Sequence, residues 1–130
     1  MEFPQNIDYV ARVERGIDLL DEQWSVWWTE DEGINLDVLD VSHGRRCVTA
    51  QAAQRNNVGS YWTDGAKLFG LTMGNGGTYI SHGFNIDSPY DSLGDTREGW
   101  EDYSEEEAYN TLNALWREAI LTRREATQSK

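Results

Sequence analysis

Three side chains in this chain carry soft metal ligands, His43, Cys47 and His82, and only the first two stand at a useful spacing, four residues apart on one face of a helix. A zinc site needs three or four such ligands, and no further His or Cys is spaced to help, so Cys47 reads as a small buried hydrophobe. Its neighbours Arg45 and Arg46 would lower its pKa only if it were exposed. Hard oxygen ligands are more plentiful: Asp87, Asp91, Asp95, Glu98, Glu101 and Asp102 fall in one turn-rich stretch. DSPYDSLGD nevertheless lacks the spacing of a calcium-binding loop, and a solvated acidic loop is the plainer reading.

Motifs of other catalytic chemistry are absent from the sequence. No serine lies in a G-x-S-x-G turn, and MGNGGTY has neither the GK[ST] of a phosphate-binding loop nor the G-x-G-x-x-G of a dinucleotide site. Paired carboxylates occur by chance in any chain with 23 acids, and Asp37 and Asp40 read as turn and cap residues. The expectation is a protein without catalysis, bound metal or cofactor.

Charge is the strongest functional signal. The net charge of −12 is gathered in two blocks, about −9 over residues 1–40 and −8 over residues 87–110, while the remaining segments are mildly basic. Such a field disfavours nucleic acid backbones and membrane surfaces and favours a basic protein surface. Arg45, Arg46 and Arg55 are expected to pair with the acidic blocks. There is no secretory leader pattern and no apolar run near the length of a membrane span, so a soluble, cytosolic chain is expected. A single cysteine excludes an intramolecular disulfide, and six Trp, six Tyr and three Phe supply enough buried area to argue against disorder.

The elements that must position these residues follow from periodicity. Residues 1–130 read as one domain, mainly helical, with about four helices and flexible ends at 1–5 and 126–130. Val10, Val13, Ile17, Leu20 and Trp24 form the inner stripe of a first helix over residues 8–23, capped by Asn6 or Asp8, with Arg12 outside it and Gly16 marking a close contact. Ser42 predicts the cap of a central helix from about His43 to Gln54, with Cys47, Val48, Gln51 and Ala52 on one face. A short helix over 61–69 follows. Asn75-Gly76 predicts a short β-hairpin over 71–80; the alternative is one helical turn at TYISH closed by Gly83, with Phe84 returning to the core. Ser104 and Glu107 form a capping box that opens the last helix, 104–124, whose stripe is Ala108, Leu112, Leu115, Trp116, Ala119 and Ile120. The first and last helices are expected to pack on each other, with the central helix against both.

LLDE at residues 19–22, Trp28, LDVLDVSHGRRCVTAQ around residues 36–51, GLT at 70–72, HGF at 82–84 and LNALWREAI at 112–120 resemble small acidic proteins encoded by actinobacteriophages and prophages. The family pattern has CVLGQL where this chain has CVTAQAAQ, and this chain adds an extended GNGG segment. The resemblance implies a phage gene product in a bacterial host cytoplasm and implies no activity. On that basis the expected function is a small acidic interaction protein that binds and modulates a host or phage protein. The alternatives are a virion structural or assembly component and a DNA mimic whose carboxylates imitate duplex phosphates.

Two acidic loops with aromatic residues are the candidate partner surface. The first is Trp27 with Glu30, Asp31 and Glu32. The second is Tyr90, Asp95, Glu98, Trp100, Glu101, Asp102 and Tyr103. Carboxylates would steer a basic partner and the aromatics would anchor it.

Overall fold

The computed structural model describes residues 7–128, which form five helices and no sheet: α1 (Tyr9–Gln23), α2 (Val48–Arg55), α3 (Trp62–Leu68), α4 (Thr78–Ser81) and α5 (Glu105–Gln128). The mainly helical class read from the sequence is what the structure has. Of the flexible ends expected at 1–5 and 126–130, residues 1–5 and 129–130 lie outside the described residues, as does Asn6, whereas residues 126–128 continue α5.

Asp8 caps α1 by accepting the N–H of Ala11 at 2.9 Å, and Ser104 caps α5 by accepting that of Glu107 at 3.2 Å. These side chains satisfy amide groups that a helix start would otherwise leave without a partner. The α1 stripe buries Val13, Leu20 and Trp24, but Val10 stands 52% exposed. Arg12, expected outside the stripe, is buried. Gly16 has the close contact that its place in a helix suggested: a Cβ there would overlap the His82 carbonyl oxygen and come within 2.9 Å of the Trp116 ring.

Helices α1 and α5 run in the same sense. Gly16 faces Trp116, and five residues on, Asp21 pairs with Arg123. From α5, Ala108, Leu112, Trp116 and Ile120 enter the core, while Leu115 and Ala119 are half-buried. Aromatic rings continue from this seam across the molecule. Trp27 meets Trp116 edge-on at 6.0 Å, Trp116 stacks on Phe84 at 5.5 Å, and Phe84, Tyr79 and Trp62 follow at 5.8 and 5.3 Å. Quadrupolar rings favour such edge and offset contacts, each worth about 1 kcal/mol beyond area burial.

The central helix departs from expectation in start and in setting. Residues 41–47 are turns, and α2 begins at Val48, because the Asp40 carboxylate takes both the N–H and the hydroxyl of Ser42 and holds that segment as a turn. Ser42 is therefore not the cap; Cys47 occupies that position and makes no side-chain cap bond. Every residue from Val48 to Ala53 is buried, not one face only. The helix in closest contact with α2 is α3, where a Cβ on Gly65 would overlap the Thr49 backbone, and not α1 and α5 together.

Residues 71–80 form no hairpin. Thr72 and Thr78 exchange backbone and hydroxyl bonds at 2.7 and 2.9 Å, closing the Gly-rich turn directly onto α4. Thr78, Tyr79 and Ile80 could extend a strand, but the two threonine hydroxyls take the amide groups that a ladder would use, and the chain enters α4 at Thr78. The single helical turn, Gly83 at φ 76° and the return of Phe84 into the core are the observed alternative.

Candidate interaction surface

Asp87 begins the long acidic loop, and it is a structural residue. Its carboxylate receives Arg12 Nη1 at 2.6 Å, with both side chains almost fully buried, so the loop is bound to α1 across 75 positions of sequence. Asn75 adds a second tie, donating to the Ser88 carbonyl oxygen at 3.1 Å and accepting its N–H at 2.9 Å. At the far end Trp100 is buried, edge-on to Tyr103 at 5.0 Å.

Between these fixed ends the chain turns at Asp91, whose carboxylate accepts the N–H groups of Leu93 and Asp95 at 2.9 and 3.0 Å. An isolated bridge joins Tyr90 to Thr96, and Arg97 Nε donates to the Tyr90 carbonyl oxygen at 2.9 Å. Leu93 at the tip is 84% exposed and Tyr90 is 48% exposed. Asp95, Glu98, Glu101 and Asp102 point to solvent, continuing into Glu105, Glu106 and Glu107 of the first turn of α5. Among the described residues none of these seven carboxylates has an ion-pair partner. Three of them sit where the positive end of the helix dipole favours them.

In the other loop the aromatic reading is corrected. Trp27 is fully buried: its indole N–H donates to Asp21 at 2.8 Å, and the Arg123 guanidinium lies 5.3 Å over its ring. It does not present a surface anchor. The same holds for Trp100, which is 5% exposed. Tyr103 is half-buried, and burial raises the pKa of its hydroxyl. Glu30, Asp31 and Glu32 are exposed, as expected, and make no ion pair among the described residues.

The two loops do not form one surface. Residues 28–34 hang on the C-terminal end of α5, where Arg124 donates to the carbonyl oxygens of Trp28, Thr29 and Ile34 at 2.7, 3.2 and 2.8 Å. Residues 90–103 lead into its N-terminus at Glu105. The rise of a helix places those attachments about 30 Å apart.

The basic group does not neutralise either loop. Arg55 Nε donates to the Gly33 carbonyl oxygen at 3.0 Å, and Arg45 and Arg46 are exposed without an ion pair among the described residues. Sequence reasoning missed Arg12 and Arg124, because each acts on backbone or carboxylate groups 75 to 96 positions away.

Cys47 is buried beside Thr49 and Tyr79, with the Thr49 and Tyr79 hydroxyls 2.6 Å apart, a closed polar cluster inside the core. Among the described residues no three His, Cys, Asp or Glu side chains are grouped to hold a metal ion. Nor is any helix long and apolar enough to cross a membrane. What defines the molecule is a small helical fold with a fixed acidic loop. No family model, curated protein or solved structure matches this chain.

Proposed function

We propose that the chain is a small, phage-encoded interaction protein, without catalysis, that binds a basic surface of a host or phage protein in the bacterial cytoplasm. The phage origin rests on the resemblance carried by the LLDE, LDVLDVSHGRRCVTAQ and LNALWREAI segments. The interaction reading rests on one observation: seven exposed carboxylates between Asp95 and Glu107, with Arg97 among them, have no ion pair among the described residues, and the loop that carries them is pinned at Asp87 and Trp100. A fixed array of like charges costs the fold self-repulsion, and a basic partner relieves it. Tyr90 and Leu93 supply apolar contact at the tip.

The test is affinity purification of tagged protein from the bacterial host at two salt concentrations, beside mass spectrometry of purified virions. A host or phage partner should be recovered and then lost at high salt, because exposed charges are screened over about 8 Å at physiological ionic strength. It should also be lost with the triple variant Glu98→Gln, Glu101→Gln, Asp102→Asn. Stoichiometric recovery in particles with no such partner would overturn the reading in favour of a virion component.

A further inference from the structure

Helices α1 and α5 touch at Gly16 and Trp116 but leave a groove of about 700 Å³ along one side of the seam. Its walls repeat with helical period on both elements: Val10, Val13 and Ile17 from α1, and Leu115, Ala119 and Thr122 from α5. Val10, 52% exposed at the edge, is an apolar side chain that folding leaves largely uncovered. Glu14 and Glu118 form rims contributed by the two different helices. Both are exposed, and neither makes an ion pair among the described residues. Arg123, also lining the groove, is already committed to Asp21.

We propose that this groove is a docking site for an amphipathic helix of a partner protein, its apolar stripe laid between α1 and α5 and Lys or Arg residues flanking that stripe. Two helices side by side offer ridges and a hollow that a third helix fills, and the three- and four-residue spacing of the walls matches the spacing of such a stripe. Charge selects the occupant. Carboxylates on the rims favour cations on the flanks of an incoming helix, within a molecule whose net charge is −12. A second copy of this chain would instead bring the same negative excess, which repels itself. The inference rests on the reading of the chain as a protein-binding domain, but not on the acidic loop, which is a separate surface.

The experiment uses three synthetic peptides about five turns long: a Leu/Ala stripe flanked by Lys, the same stripe flanked by Glu, and a scrambled peptide of the Lys composition. Each is titrated into the full chain by fluorescence anisotropy, with methyl chemical shifts followed in parallel. The Lys-flanked helix should bind at least about tenfold more tightly than the other two, with shifts at Val10, Val13, Ile17 and Leu115. Val10→Asp should weaken it by a similar factor. The double variant Glu14→Lys, Glu118→Lys, at exposed positions and checked for fold by circular dichroism, should reverse the preference between Lys and Glu flanks. Equal binding of the scrambled peptide, or shifts confined to residues 90–103, would overturn the groove while leaving a basic partner for the acidic loop. Self-association blocked by Val10→Asp would assign the groove to a second copy and also overturn it. Groove binding together with no basic partner recovered from the host would retain this inference and remove the function proposed above.

Discussion

Gly16 of α1 and Trp116 of α5 meet so closely that the glycine hydrogen occupies the only space between the helix backbone and the indole, with the His82 carbonyl oxygen on the same side. The Trp116 indole N–H meanwhile donates to the Gly83 carbonyl oxygen at 2.7 Å, so the ring cannot retreat without losing a buried hydrogen bond.

Gly16→Ala therefore reverses the usual sign. On an exposed helix face the change would stabilise by about 1 kcal/mol. At this seam overpacking should dominate and destabilise by about 1–3 kcal/mol in urea unfolding. A raised midpoint would show that the seam has slack.

The buried pair of Arg12 and Asp87 should show the asymmetry of charges removed from water. Asp87→Ala removes the buried carboxylate that Arg12 holds at 2.6 Å and is expected to cost about 1.5–3 kcal/mol, the scale of a hydrogen bond between charged groups. Arg12→Met combined with Asp87→Leu should cost less than that single change, measured by the same denaturation. Equal losses for the single and double variants would mean that the guanidinium left behind carries no penalty of its own.

Leu112 is fully buried and Leu115 is only partly so. Leu112→Ala should lower stability by about 2–5 kcal/mol, and Leu115→Ala by clearly less. Equal effects on the thermal midpoint would contradict the rotation of α5 that turns Leu112, and not Leu115, into the core.

Two pH limits follow from the shifted groups. The hydrogen bond from Arg123, aided by that from Trp27, holds the Asp21 carboxyl below its ordinary 3.8, so its contribution is present above that value and fades as pH falls below it. Tyr79 is shifted the opposite way, upward from 10.0, chiefly by burial. Its neutral form is favoured by folding, so stability is kept below pH 10 and lost as pH rises beyond it. Tyr79→Phe should flatten part of the alkaline loss, followed by denaturant midpoints together with phenolate absorbance. An unchanged alkaline slope would place the effect on Tyr9, Tyr103 or Tyr109, whose hydroxyls burial also raises.

The long helices are legible in the sequence because their stripes and caps are local: Asp8, Ser104 and the apolar stripe that follows each act within a few positions. What is not legible shares the opposite cause. Trp27 lies beside the α1 stripe by period, yet its carbonyl oxygen accepts the Ile34 N–H at 2.7 Å and the folded-back segment carries its ring onto Trp116. Arg12 looks like a solvated helix residue until Asp87 arrives from far along the chain. The start of α2 falls later than its spacing suggests because Ser42 bonds Asp40 behind it, not the amides ahead of it. Within the candidate site, the exposed carboxylates are readable from composition, whereas the inward turn of Trp27 and Trp100 is decided by contacts made across the fold.

Arg124 also sets an order of events during synthesis. The carbonyl oxygens of Trp28, Thr29 and Ile34 wait for a guanidinium made 96, 95 and 90 residues later, and Trp27 waits as long for the indole of Trp116. A chain emerging from the ribosome at about 5–20 residues per second holds its first third unfinished for several seconds. Folding of the N-terminal part is thus deferred until its last helix is released, and a message cut short before residue 116 would yield a product with its aromatic seam open to water.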